Sequence, residues 1–314
     1  MTKQAVLFPG QGAQFVGMSA DLIRRCPATE PMFDKATKLL GQDLWKLTTE
    51  GPEETLNSTA VSQPAIFTVS LAVAKAIEEA AGADSLAAMG TAGLSLGEYS
   101  ALVFCGAMEF EDALEIVTRR GEYMQEACDR EPSGMTSILG LDLTAVKDVV
   151  AEAGSVGVIG VANVNADNQI VVSGAMEPLE RAAELATERG ARRVIPLKVA
   201  GAYHSPLMAS ATEKLRPYLE KVTIRPPRIP FYPNVSATPT DDVEEIRQGL
   251  IRQIESSVLW APTLKALVAA GMETVVEPGP GRVIAGLVKQ VERRMPVQSV
   301  LDAASMEAFL GAEA

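Results

Sequence analysis

Short apolar runs alternate along the chain with segments of helical period, the order expected of a layered α/β protein. Gln4–Phe8 is an apolar run stopped by Pro9 and reads as a buried strand. Residues 19–40 and 53–57 read as helices, and 63–81 as an alanine-rich helix apolar enough to be buried. A weak strand over 86–91 leads into Gly93-Leu94-Ser95-Leu96-Gly97, with a helix expected over 98–104. The clearest helical pattern lies at 111–128, where Ala113, Val117, Met124, Ala127 and Cys128 share one arc. Glu115, Arg119, Glu122 and Glu126 fall on the opposite arc. Arg120 breaks the pattern, because it sits between Val117 and Met124 on the apolar side. A guanidinium pointing inward has to be paired. It meets either a structural carboxylate or an anionic ligand, and its planar fork matches a carboxylate in two-pronged fashion.

The pattern changes at 134–199. A strand over 135–140, a helix over 143–152, strands over 157–163 and 169–173 joined at Ala166-Asp167-Asn168, a helix over 177–189 and a strand over 193–198 follow in turn. The order β-α-β-β-α-β is that of a ferredoxin-like unit. It predicts a small domain, 131–199, inserted into a larger α/β domain made of 1–130 and 200–314. Residues 225–239 hold five prolines and read as an extended connection without chemistry of its own. Helices over 243–254 and 263–270, a strand over 274–276, the loop Glu277-Pro278-Gly279-Pro280-Gly281 and a helix from Val283 complete the chain.

Composition narrows the class. The 314 residues are 47% hydrophobic and 22% charged, as in an ordinary globular protein. No apolar run is expected to approach the roughly 18 residues of a membrane span, and the first residues are too short an apolar stretch for a signal peptide. Cys26, Cys105 and Cys128 are scattered, lack metal-ligand spacing and predict neither a metal site nor a disulfide framework, so a reducing cytoplasm is expected. The net charge of −12 argues against general nucleic-acid binding.

Gly93 to Gly97 spell G-x-S-x-G, the pattern of a nucleophile elbow. Such a strand-to-helix turn exposes a serine hydroxyl beside free helix N–H groups that favour a developing oxyanion. A glycine-rich helix start gives the same letters. The chain holds a single histidine, His204, so an imidazole base for Ser95 can only be that residue. It follows Gly201 at the edge of the small domain, just before a helix start at Ser205-Pro206. Gly10-Gln11-Gly12 brackets a strand-end loop, either a site builder or a plain turn, and is not a dinucleotide fingerprint because position 15 is Phe15.

Five segments together, Phe8-Pro9-Gly10-Gln11-Gly12, Gly93-Leu94-Ser95-Leu96-Gly97-Glu98, Arg120-Gly121, Gly201-Ala202-Tyr203-His204-Ser205 and Glu277-Pro278-Gly279-Pro280-Gly281, resemble the malonyl-CoA:acyl carrier protein transacylase family over essentially the whole chain. The resemblance implies an α/β-hydrolase-like core with a mainly parallel sheet and an inserted ferredoxin-like domain. It implies a ping-pong transfer of malonyl from malonyl-CoA, through an acyl-enzyme on Ser95, to the phosphopantetheine thiol of acyl carrier protein, with no tightly bound cofactor. His204 would be the base, Arg120 the malonyl carboxylate ligand, and the backbone N–H groups of Gln11 and Leu96 the oxyanion hole. Gln253 is the nearest match to a late glutamine that holds the histidine by its backbone carbonyl. Two positions depart from the family pattern: Leu94, usually histidine, and Tyr203, usually phenylalanine in malonyl-selective members, both bearing on acyl selectivity. Basic residues Arg189, Arg192, Arg193 and Lys198 lead toward the His204 edge and are candidates for docking the acidic carrier protein, or else form a solvated strand end. A monomer serving fatty-acid synthesis is expected. A polyketide-type acyltransferase, a serine esterase or thioesterase, and a scaffold that retains the fold without the chemistry are the alternatives.

Overall fold

The structure, a computed structural model, describes residues 3–312. Among the described residues eight strands are present: β1 (Gln4–Phe8), β2 (Gly90–Gly93), β3 (Ser133–Leu139), β4 (Ile159–Ala166), β5 (Gln169–Ala175), β6 (Arg193–Pro196), β7 (Thr274–Pro278) and β8 (Val297–Val300). They form two four-stranded sheets, ordered β2-β1-β7-β8 and β4-β5-β3-β6. The first is parallel throughout and its central strand β1 is buried along Ala5 to Phe8, as the unbroken apolar run requires. The second is antiparallel, with the helices Leu143–Ala153 and Met176–Glu188 between its strands in sequence. Residues 254–260 return beside β4, where Val258 exchanges backbone hydrogen bonds with Ala162 and Val164.

The helix Thr59–Ala81 is 23 residues long, with a mean hydropathy of 1.4 over its most apolar 18-residue window, enough by length and composition to cross a membrane. Here it is buried against the Phe110–Cys128 helix and its neighbours, which removes its apolar surface from water. The two helices approach closely at Gly121, where a Cβ would stand 2.7 Å from the Thr59 carbonyl oxygen.

Several elements differ from the sequence expectation. The strand before the elbow runs over Gly90–Gly93 rather than 86–91. Its Gly-Thr-Ala-Gly sequence has little β-propensity, and pairing with β1 on one side and the Phe231 backbone on the other holds it. The expected helix over 19–40 divides at Pro27 into Leu22–Arg25, a 3₁₀ turn and Glu30–Leu40. Strand β8 and the helices Leu44–Glu50 and Ala303–Ala312 are additional, and β8 is a half-buried edge whose sequence, Val-Gln-Ser-Val, is too short and polar to announce itself.

Candidate active site

The turn after β2 is sterically dictated. A Cβ at Gly93 would fall 1.9 Å from the Gly97 backbone, and one at Gly97 would fall 2.4 Å from the Phe8 carbonyl oxygen. Between them Ser95 adopts a left-handed conformation, φ 51°, and the helix Gly97–Phe104 begins two residues later. This tight crossing puts the serine hydroxyl at the apex, in the cleft that the loop residues Gln11 and Gly12 also line.

Ser95 Oγ lies 2.8 Å from His204 Nε2 and 2.9 Å from an Arg120 terminal nitrogen. His204 also holds a left-handed backbone, φ 58°, and Ser205 behind it anchors the turn by donating to the Ala202 carbonyl oxygen. His204 Nδ1 donates to the Gln253 carbonyl oxygen at 2.9 Å. That bond fixes the tautomer and leaves the Nε2 lone pair facing the serine hydroxyl. The imidazole is 4% exposed. Burial pushes its pKa down to about 4, helped by the Arg120 charge.

Arg120 is 1% exposed, as its place in the apolar arc required. It donates to Gln63 Oε1 at 2.6 Å, to Gln253 Oε1 at 2.9 Å and to Ser95 Oγ. Its Nε has no partner, and no carboxylate approaches it within salt-bridge distance among the described residues. Burial pulls its pKa down, while the nearby Tyr99 and Glu98 push the other way. A buried guanidinium held by two neutral amides and a hydroxyl keeps two of its five N–H donors to spare, the number a carboxylate would take.

The backbone N–H groups of Gln11 and Leu96 donate no hydrogen bond among the described residues. A cleft of about 800 Å³ passes over Ser95 and His204 between the two sheets, with Gln11, Leu94 and Tyr203 among its lining residues and Asn163 contributed by β4 of the antiparallel sheet. Leu94 is half-buried on the apolar cluster around Leu264. The Tyr203 hydroxyl is already engaged, 2.6 Å from Thr59 Oγ1 and 3.2 Å from Gln11 Nε2. Of the four basic residues, Lys198 lines the cleft, Arg192 and Arg193 are exposed, and Arg189 is held by Glu152 at 2.6 Å.

The acyl transferase domain family matches residues 6–307. A malonyl CoA-acyl carrier protein transacylase of Bacillus subtilis is 43% identical over 310 residues, covering 98% of this chain and 96% of the relative. Its counterpart in Escherichia coli is 38% identical over 310 residues, covering 99% of each. The chain belongs to the malonyl CoA-acyl carrier protein transacylase family. Among solved structures, an acyl-carrier-protein S-malonyltransferase of Burkholderia pseudomallei superposes with a TM-score of 0.92 at 39% identity, covering 99% of this chain and 100% of that one. A chain from the complex of a type II polyketide acyl carrier protein with its malonyl-transacylase gives a TM-score of 0.93 at 37% identity, covering 99% of this chain and 100% of its own.

Three buried polar residues at this transacylase-family site have no role assigned by the sequence: Gln63, Asn234 and Glu98, the last present only as the end of the elbow segment. Gln63 and Glu98 each interrupt an apolar helix, the same signal that singled out Arg120. Asn234 lies in the proline-rich connection expected to carry no chemistry, where no periodicity marks it. Its side chain accepts from the Ser95 N–H and donates to the Gly93 carbonyl oxygen, each at 2.7 Å.

Proposed function

We propose that the chain moves a malonyl group from malonyl-CoA to the phosphopantetheine thiol of acyl carrier protein through an acyl-enzyme on Ser95. The observation that carries this reading is Arg120, buried, unpaired by any described carboxylate and 2.9 Å from the serine hydroxyl. A group beside the nucleophile that needs an anion selects an acyl group with a terminal carboxylate.

His204 takes the Ser95 proton at Nε2 as Oγ attacks the thioester carbonyl. The tetrahedral oxyanion takes hydrogen bonds from the Gln11 and Leu96 amides. Collapse breaks the C–S bond, and the imidazolium returns its proton to the leaving CoA thiolate. The carrier thiol then repeats the sequence in reverse, giving its proton to His204 and taking the malonyl group. The Gln253 carbonyl keeps the imidazole in the required tautomer throughout. Arg120 Nε and a terminal nitrogen hold the malonyl carboxylate. Both halves are thioester–oxyester exchanges and balance without a tightly bound cofactor.

The sheet order β4-β5-β3-β6, antiparallel with two intervening helices, supports a ferredoxin-like domain at 131–199 inserted in a hydrolase-like core of 1–130 and 200–314. Leu94 and Tyr203 shape the acyl end of the cleft, Tyr203 through its grip on Gln11. Lys198, Arg192 and Arg193 mark the side from which the acidic carrier protein approaches, and a cytoplasmic place in fatty-acid synthesis completes the reading. Incubation with malonyl-CoA followed by intact-mass analysis tests it. The wild type gains one malonyl mass, which a holo carrier protein removes, and Ser95→Ala gains none. Malonate release without transfer to the carrier protein would identify a thioesterase instead.

A further inference from the structure

Asn234 is 1% exposed and spends its side chain on the elbow backbone. Its Oδ1 accepts from the Ser95 N–H and its Nδ2 donates to the Gly93 carbonyl oxygen. Neighbouring amides are committed elsewhere: Leu94 N–H to the Phe8 carbonyl oxygen and Gly97 N–H to the Leu94 carbonyl oxygen. Leu96 N–H is the one left over in this turn among the described residues. Asn234 thus settles which amide stays free for an oxyanion, and it bridges the two residues flanking Leu94 across a left-handed serine.

The same residue is tied to the base. Asn234 N–H donates to Glu98 Oε2 at 3.4 Å, and Gln253 Nε2 donates to that oxygen at 2.6 Å and to the Ser95 carbonyl oxygen at 2.8 Å. Two acceptors on one side and the Arg120 donor on the other fix which way the Gln253 amide faces. The Gln253 backbone carbonyl in turn carries His204. Glu98 is fully buried, and burial pushes its pKa up to about 7 against the lowering effect of these hydrogen bonds and of Arg120.

We infer that Asn234 is a positioning residue of the acylation step, and that Glu98 ties the elbow it holds to the residue that orients His204. The inference rests on Ser95 as the acylated nucleophile. Loss of the Asn234 side chain leaves a buried donor and a buried acceptor unpaired, and the turn relaxes. The serine hydroxyl and the Leu96 amide then drift from the attack geometry, while the acyl-CoA cleft is untouched.

Rapid-quench self-acylation of Asn234→Ala and Glu98→Gln, with malonyl-CoA and with acetyl-CoA, tests this. For Asn234→Ala the acylation rate constant at saturating acyl-CoA falls about 100-fold, by the same factor for both acyl groups, a scale set by a misplaced reacting group. Glu98→Gln keeps an acceptor for Gln253 but loses the charge, and its rate constant falls about 10-fold with the same split. KM stays within about three-fold of wild type in both. Rate constants within about three-fold of wild type, an effect on KM alone, or a loss confined to malonyl would overturn the inference. If Asn234→Ala does not fold, Glu98→Gln decides by the same criteria. A wild type that forms no acyl-enzyme sinks the underlying reading instead, and the two failures are distinct.

Discussion

At the residue scale, the site depends on two charges managed by burial. His204 stays neutral because its surroundings and the adjacent guanidinium disfavour the imidazolium. Its folded pKa lies below the ordinary value, so as the proposed base it stays unprotonated down to about pH 4 and is lost only as pH falls through that point. The acidic limb of kcat/KM for self-acylation therefore lies well below the ordinary imidazole range near 6.5. A stopped-flow pH series checks this, and a limb at the ordinary value removes the argument from burial. Tyr203 belongs to the same scale. Its hydroxyl is bonded to Thr59 and Gln11 and so bears on the loop whose Gln11 amide is the proposed oxyanion donor.

At the element scale, the elbow is a crossing of three backbones, β1, β2 and the helix Gly97–Phe104, at distances only glycine permits. Gly97→Ala drives a Cβ into the Phe8 carbonyl, a rigid neighbour that cannot step aside. The expected cost is at least the roughly 1–3 kcal/mol of an overpacked core, read as a lower melting temperature together with slower acylation. A variant as stable and active as wild type would show that the crossing is looser than its geometry. The G-x-S-x-G letters, the lone histidine and the arginine on an apolar arc carry their meaning locally, through spacing and periodicity. Asn234 does not, since its partners are brought to it by the strap that covers the β2 edge. The weak strand lies a few residues beyond the stretch its sequence favours, because neighbours, rather than its own propensity, hold it.

At the scale of the whole molecule, the cleft between the parallel and antiparallel sheets passes over Ser95, and in the proposed transfer it admits the acyl donor and then the acceptor. The chain carries a net charge of −12, so an acidic carrier protein needs a local basic approach. Reversing Arg192 and Arg193 to glutamate raises the KM for carrier protein several-fold and leaves self-acylation by malonyl-CoA unchanged. Steady-state transfer at varied carrier concentration measures this, and an unchanged KM moves the docking surface elsewhere. The central claim is that a buried guanidinium without a carboxylate partner makes this nucleophile selective for a carboxylated acyl group. Arg120→Ala, assayed for acylation by malonyl-CoA and acetyl-CoA side by side, tests it most directly. Loss of a buried charge pair predicts a fall in kcat/KM about 100-fold greater for malonyl than for acetyl. Equal losses for the two acyl groups would contradict the account.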